Sequence, residues 1–148
     1  MQDKPDEKDL QILRYLVEHG RDKISEISSN LGIPRATVFE RMEKLKKNGF
    51  IRRFTVDLDY ERLGFSIMSY VLIEFDFSSS TTQQKLCSEL AKLDNVILAS
   101  IISGRWDLII LVTAKNMKEL ADFVLEKLQS MEGVGRTYSI PIYEHMKP

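Results

Sequence analysis

The chain of 148 residues is short of the side chains that build redox and metal chemistry. A single cysteine, Cys87, excludes an internal disulfide and a thiolate metal cluster. His19 and His145 are the only imidazoles, which argues against most metalloenzymes and histidine-dependent hydrolases. No metal site, no catalytic residue and no cofactor is therefore expected. No run of 18 apolar residues exists, which excludes a membrane-spanning helix. Met1 to Lys8 lack the apolar stretch of a secretory leader, so the expected location is the cytoplasm. No Gly/Ser-rich linker interrupts the chain, so a domain boundary is expected to be structured.

What is present is an ordinary globular balance. Hydrophobic residues at 43% are too many for a disordered chain. The net charge of −1 hides an asymmetry. Residues 1–53 hold 12 Lys/Arg against 9 Asp/Glu, and residues 54–148 hold 9 against 13. Between Arg35 and Arg53 stand seven basic and two acidic residues. A short basic block in a near-neutral chain points to a local polyanion contact.

Residues 1–50 read as three helices. Asp6 is a good N-cap, with Asp9 three residues on as a capping-box partner. Leu10, Leu13, Leu16 and Val17 then repeat at helical spacing, with Ile12 beside them, until Gly20. Ile24, Ile27 and Leu31 mark a short second helix broken at Gly32-Ile33. The third is expected from about Pro34 to Asn48, with Val38, Met42 and Leu45 inside and Gly49 ending it. The period then changes to 2, predicting a strand over Phe50–Asp59 and a turn at Leu63-Gly64. Domains are expected at 1–50 and 66–148, joined by a linking strand and turn at 51–65.

The second part alternates. Strands are expected at Ile67–Phe77, Val96–Ile102, Leu108–Thr113 and Arg136–Glu144. One helix is expected from Ser78–Thr81 to Leu93, and another capped by Asn116 with Leu120, Phe123, Val124 and Leu128 inside. The order βαββαβ is the ferredoxin-like arrangement, an antiparallel sheet with both helices on one face, within an α+β chain. Helices cover one face only, yet 97–102 and 108–112 are apolar at nearly every position. The uncovered face needs a partner, and the simplest is a second copy.

Three short helices with a tight turn before the third resemble a helix-turn-helix. The third helix would enter the major groove. Arg35 is the candidate for a bidentate guanine contact, and Phe39 for a thymine methyl. Ala36 and Glu40 point outward, and Thr37 and Arg41 complete the set. Lys44, Lys46 and Lys47, with Arg52 and Arg53, would neutralise phosphates. The plain alternative is a three-helix bundle with a solvated Lys-rich face.

Several segments together resemble the Lrp/AsnC, or feast/famine, family of transcription regulators. They are Asp6-Glu-Lys-Asp-Leu-Gln-Ile-Leu, Ile33-Pro-Arg-Ala-Thr-Val-Phe-Glu-Arg-Met-Glu-Lys-Leu, Asn48-Gly-Phe-Ile-Arg-Arg-Phe, and Ser103-Gly-Arg-Trp-Asp-Leu-Ile-Ile-Leu-Val with Arg136-Thr. The resemblance implies a winged-type helix-turn-helix domain joined to a ligand-binding RAM domain. It also implies dimers that often build octamers, and an amino-acid effector held between dimers near Ser103, Gly104, Arg105, Trp106 and Asp107. The strand Phe50–Asp59 would pair with that of its dimer mate. One departure from the family pattern is Pro34, which falls where members carry a serine that caps the recognition helix. Proline has no side-chain oxygen and is tolerated at the first helical position, where Pro34 is expected.

At that loop, Gly104 leaves its backbone N–H open to a carboxylate, and Asp107 would accept from an ammonium group. Ser100, Thr137 and Ser139 are further polar candidates, and Arg105 would steer an acidic side chain. The plain alternative is a hairpin with Trp106 at its corner and Asp107 closing it. Sirohaem decarboxylases share the scaffold, so a tetrapyrrole enzyme is the competing class. It would need histidines in the second domain, where His145 stands alone. Cys87, Met117 and Met131 read as packing or helix-end residues.

Overall fold

The computed structural model describes residues 4–144 and 146. The chain divides into two compact units, one up to Asp57 and one from Leu58.

The first unit holds α1 (Glu7–Glu18), α2 (Ile24–Leu31) and α3 (Arg35–Lys47). The start of α1 is the expected capping box. Asp6 Oδ1 accepts from the Asp9 N–H at 3.0 Å, and Asp9 Oδ2 accepts from the Asp6 N–H at 3.0 Å. Ile12, Ile27, Ile33, Val38 and Leu45 form the buried core, with Leu13, Leu16, Leu31 and Met42 packed around it. Each such side chain, fully buried, contributes roughly 1.5–3 kcal/mol. The turn Gly32–Pro34 sets α3 against this core. Pro34 occupies the N-cap, one position before the expected one, so α3 begins at Arg35.

The expected strand Phe50–Asp59 is not formed: among the described residues, 50–59 carry no strand. A strand needs a neighbouring ladder, and alternation alone does not supply one. Ile51 instead donates its N–H to the Leu45 carbonyl at 3.2 Å and packs on the helical core.

The second unit holds β1 (Ile67–Phe75), α4 (Gln83–Leu90), β2 (Val96–Ile101), β3 (Leu108–Ala114), α5 (Met117–Asp122) and β4 (Val134–Pro141). A π-helical stretch, Phe123–Leu128, continues α5. The sheet order is β2-β3-β1-β4, antiparallel throughout, as in the ferredoxin-like arrangement. Val71, Ile73 and Phe75 of β1 and Leu108, Ile110 and Val112 of β3 meet Leu86, Leu90, Leu120, Val124 and Leu128 from the helices. Cys87 and Met131 pack at the edge of that core.

Boundaries moved where side chains compete with the backbone or where glycine does local work. Helix α4 starts at Gln83 rather than in 78–81. Ser78 donates from N–H and Oγ to Asp76 Oδ1, and Ser79 Oγ donates to the Asp76 carbonyl, which holds that run in a turn. Thr82 is the cap, accepting from the Lys85 N–H at 3.2 Å. The helix ends at Leu90, before the expected Leu93. Strand β4 begins two residues before Arg136. A Cβ on Gly135 would lie 2.8 Å from the Glu74 carbonyl oxygen, so glycine is there for close strand approach.

Alternation leaves the other face of the sheet without helices. Pairing places two rows across it, Leu98–Leu111–Tyr70–Ile140 and Ser100–Ile109–Leu72–Tyr138. Leu98 (50% exposed), Tyr138 (57%) and Ile140 (41%) show apolar surface to solvent.

Candidate functional site

Helix α3 turns Val38 and Leu45 inward and presents Arg35, Ala36, Phe39, Glu40, Lys44, Lys46 and Lys47 to solvent. Thr37 and Arg41 are half-buried. The first turn of α3 holds no acidic residue and no side-chain cap, so its amides favour an anion. Its last turn carries Lys44, Lys46 and Lys47, where cations suit the helix dipole. Lys46 Nζ donates to Glu43 Oε1 at 2.9 Å. Arg52 and Arg53 are exposed just beyond the helix.

Arg41 stands apart from the other candidates. Its Nη1 donates to Asp6 Oδ1 and Oδ2 at 2.5 and 2.6 Å and to Asp9 Oδ1 at 2.9 Å. The guanidinium holds the Asp6 carboxyl down at about 2, helped by the Asp9 backbone N–H, and the carboxylates raise the Arg41 pKa in return. A groove of about 400 Å³ lies here, lined by Lys4, Asp6, Asp9, Thr37, Glu40, Arg41 and Lys44. Sequence reading saw Asp6 and Asp9 only as caps. Their i,i+3 spacing is a signal that both carboxylates share one side, but not that a cation 35 and 32 residues on meets them.

In the second unit, Ser103–Asp107 joins β2 to β3. Gly104 adopts φ +130° with nothing within 4 Å of where a Cβ would sit, a conformation that favours glycine. Arg105 lies over the Trp106 ring at 5.9 Å, and Trp106 stacks on Tyr138 at 6.0 Å. Asp107 has internal partners on both oxygens. Oδ2 accepts from the Phe75 N–H at 2.8 Å, and Oδ1 from Gln83 Nε2 at 3.3 Å.

The remaining polar candidates divide between the faces. Ser100 pairs with Ile109 on the helix-free face. Thr137 and Ser139 pair with Ile73 and Val71, which point to the helices, and Gln129 Nε2 donates to Thr137 Oγ1 at 3.4 Å. Tyr138, not among the candidates, joins Trp106 on the Ser100 side. Alternation of Arg136, Tyr138 and Ile140 against Thr137 and Ser139 was the signal that would have found it. A separate cleft of about 540 Å³, lined in part by Tyr60, Phe65, Met68, Ile142 and Glu144, lies at the opposite end of β1. His145 lies outside the described residues.

Among the described residues, no helix is long and apolar enough to cross a membrane, and no cluster of His, Cys, Asp and Glu is placed to hold a metal.

Two family models cover these two units. A winged helix-turn-helix DNA-binding domain matches residues 5–52, and the Lrp/AsnC ligand binding domain matches 68–148. The class so defined is a DNA-binding transcription regulator with a ligand-binding domain. The chain belongs to the Lrp/AsnC family. An HTH-type transcriptional regulator of Pyrococcus abyssi is 35% identical over 96% of this chain and 95% of its own. The structure of a transcriptional regulatory protein of Pyrococcus furiosus, a member of the AsnC family, superposes with TM-score 0.75 at 30% identity, covering 97% of this chain and 93% of that one. A transcriptional regulator of Neisseria meningitidis, solved in complex with L-Met, shares the fold at TM-score 0.87 and 20% identity, covering 98% and 94%.

Proposed function

We propose that this protein is a sequence-specific regulator that works as a dimer or larger assembly and whose DNA binding responds to an amino acid. The observation that carries the reading is the solvent side of α3, where readers and anchors occupy different turns. Arg35, Ala36, Phe39 and Glu40 stand in the first turns, which reach base edges in this motif. Lys44, Lys46, Lys47, Arg52 and Arg53 follow, where the duplex backbone passes. Thr37 borders the same surface. Such a protein acts in the cytoplasm, beside its DNA.

Assembly follows from the helix-free sheet face, whose apolar rows are complementary to a second copy of themselves. A dimer would place two recognition helices on one side of the duplex and favour a near-palindromic site. The effector is placed at Ser103–Asp107, with Ser100 and the Trp106–Tyr138 stack beside it. The open Gly104 amide suits a carboxylate, and Asp107, with lone pairs beyond its two internal bonds, suits an ammonium. Thr137 and Ser139 lie on the opposite face and would support the sheet rather than touch the ligand. The Neisseria protein's complex with L-Met supports the amino-acid class.

The test is a selection from random duplexes, run without addition and then with each of the twenty amino acids. A near-palindromic consensus whose affinity changes with one amino acid is the expected result. Binding without any consensus would refute the sequence-specific reading, and indifference to all twenty would remove the amino acid.

A further inference from the structure

The helical core holds α3 by few contacts. Val38 and Leu45 are its only fully buried side chains, with Met42 beside them. Apolar burial is non-directional, so it sets how deeply α3 sits far better than how it is rotated about its axis. Charge-assisted hydrogen bonds are directional. One such set joins α3 to the start of α1, and it sits at the edge of the apolar stripe, one turn after Thr37 and next to Glu40.

We propose that Arg41 is the positioning residue of the recognition helix: its guanidinium, held by Asp6 and Asp9, fixes the rotation of α3 and thereby which bases Arg35, Ala36 and Phe39 meet. The proposal rests on the reading of α3 as the recognition helix. Arg41 Nη1 lies 2.5–2.9 Å from three carboxylate oxygens on α1 and its cap. Asp9 is 6% exposed, so an unpaired charge left there would be costly. Both carboxylates are themselves fixed by the capping box, which makes them a rigid mount. Recognition constellations tolerate misplacement of only roughly 0.5 Å or 10–20°. An Arg41 engaged this way adds little net phosphate neutralisation, because its charge is already balanced by two carboxylates.

The full chain carrying Arg41→Gln, Asp6→Asn, both together, or Arg41→Lys tests this. Asparagine keeps the N-cap oxygen of α1, removes the charge and replaces one of the two oxygens that accept from Arg41 with a donor. Affinity for the preferred duplex and for a scrambled one is measured across a salt series, with helical content and melting followed on each variant. Positioning predicts that Arg41→Gln and Asp6→Asn each shrink the preferred-to-scrambled ratio by roughly three- to tenfold, that the double variant is no worse than the worse single one, and that Arg41→Lys falls between. The salt slope stays that of the wild type.

A phosphate anchor predicts the reverse. Arg41→Gln would lower the salt slope by about one, and Asp6→Asn, which removes a negative charge near DNA, would leave or raise affinity for both duplexes. That result overturns the proposal. If Arg41→Gln does not fold, Asp6→Asn decides, since positioning shrinks its preferred-to-scrambled ratio and a phosphate anchor leaves that ratio unchanged. A wild type with no preferred duplex overturns the recognition-helix reading, and this one with it. A wild type with a clear preference that survives Asp6→Asn overturns this one alone.

Discussion

The two units solve the same packing problem differently. The helical unit gathers a small core, with Ile12, Ile27, Ile33, Val38 and Leu45 buried and the α1–α3 seam locked by an ion pair, while Val17, Phe54 and Val56 stay exposed. Among the described residues, the sheet unit buries twelve apolar side chains in the core it shares with its helices and still carries apolar rows on its other face. The first unit has the smaller buried core. The second is well filled but unfinished on one side. Ligand binding belongs with the second, and the unit matched by a DNA-binding domain is the one with the smaller core.

The largest test of this contrast is a matched pair of core truncations. Ile27→Ala and Ile110→Ala each remove a fully buried side chain and should each cost about 2–5 kcal/mol. In the helical unit that is a large part of the roughly 5 kcal/mol a small domain holds, so its melting transition should fall below physiological temperature. In the sheet unit the same loss should lower a transition that remains well above it. Melting followed by circular dichroism checks both, and a single transition shifted equally by either variant would break the comparison.

Next in size is the helix-free face. Leu98→Lys with Ile140→Lys places two charges at opposite ends of one row, at exposed positions where the chain's own fold loses little. Desolvating them in an interface should cost at least about 2 kcal/mol of association. Light scattering should then find one chain where the wild type gives two or more, while the helical transition stays put.

The fold was readable in the sequence because each element carried its own punctuation. Asp6 and Asp9, Asn116 and Gly49 each act over a few residues. The βαββαβ order followed from them, and the sheet is antiparallel as expected. What escaped was set by partners distant in the chain. Residues 50–59 have the alternation of a strand without a ladder beside them. Arg41 read as an exposed base until Asp6 and Asp9 stood next to it. Thr137 and Ser139 share the helix-covered face, a placement that depends on a register with β1 that residue type does not encode. Gly135 fell outside the strand expected from Arg136, because close strand approach leaves no local mark.

The division of labour along α3 comes next. Arg35→Ala should reduce the preference for the selected duplex by roughly 1–3 kcal/mol and leave the salt slope nearly unchanged. Lys47→Ala should weaken all duplexes about equally and lower the slope by about one. Lys46, paired with Glu43, should move the slope less than Lys47, because part of its charge is already balanced. A consensus unchanged by Arg35→Ala would assign base reading to Phe39 and Glu40 instead.

The smallest effect expected at neutral pH is the acid response of the seam. Arg41 holds the Asp6 carboxyl at about 2, below the ordinary value near 4. A carboxyl with a depressed folded pKa binds its proton more weakly in the native state than in the unfolded one. Its contribution is therefore complete above about pH 4 and is lost as pH falls from about 4 to about 2. Asp6 is solvent-accessible, so the loss is modest and should be smaller in high salt. The sheet unit responds with the same sign, since Ser78 holds Asp76 down and Ser80 holds Glu132 down. Asp6→Asn separates the two. It should flatten the acid dependence of the helical transition and leave that of the sheet unit untouched. If both transitions still fall together between about pH 4 and pH 2 in Asp6→Asn, the seam does not govern the helical unit's acid response.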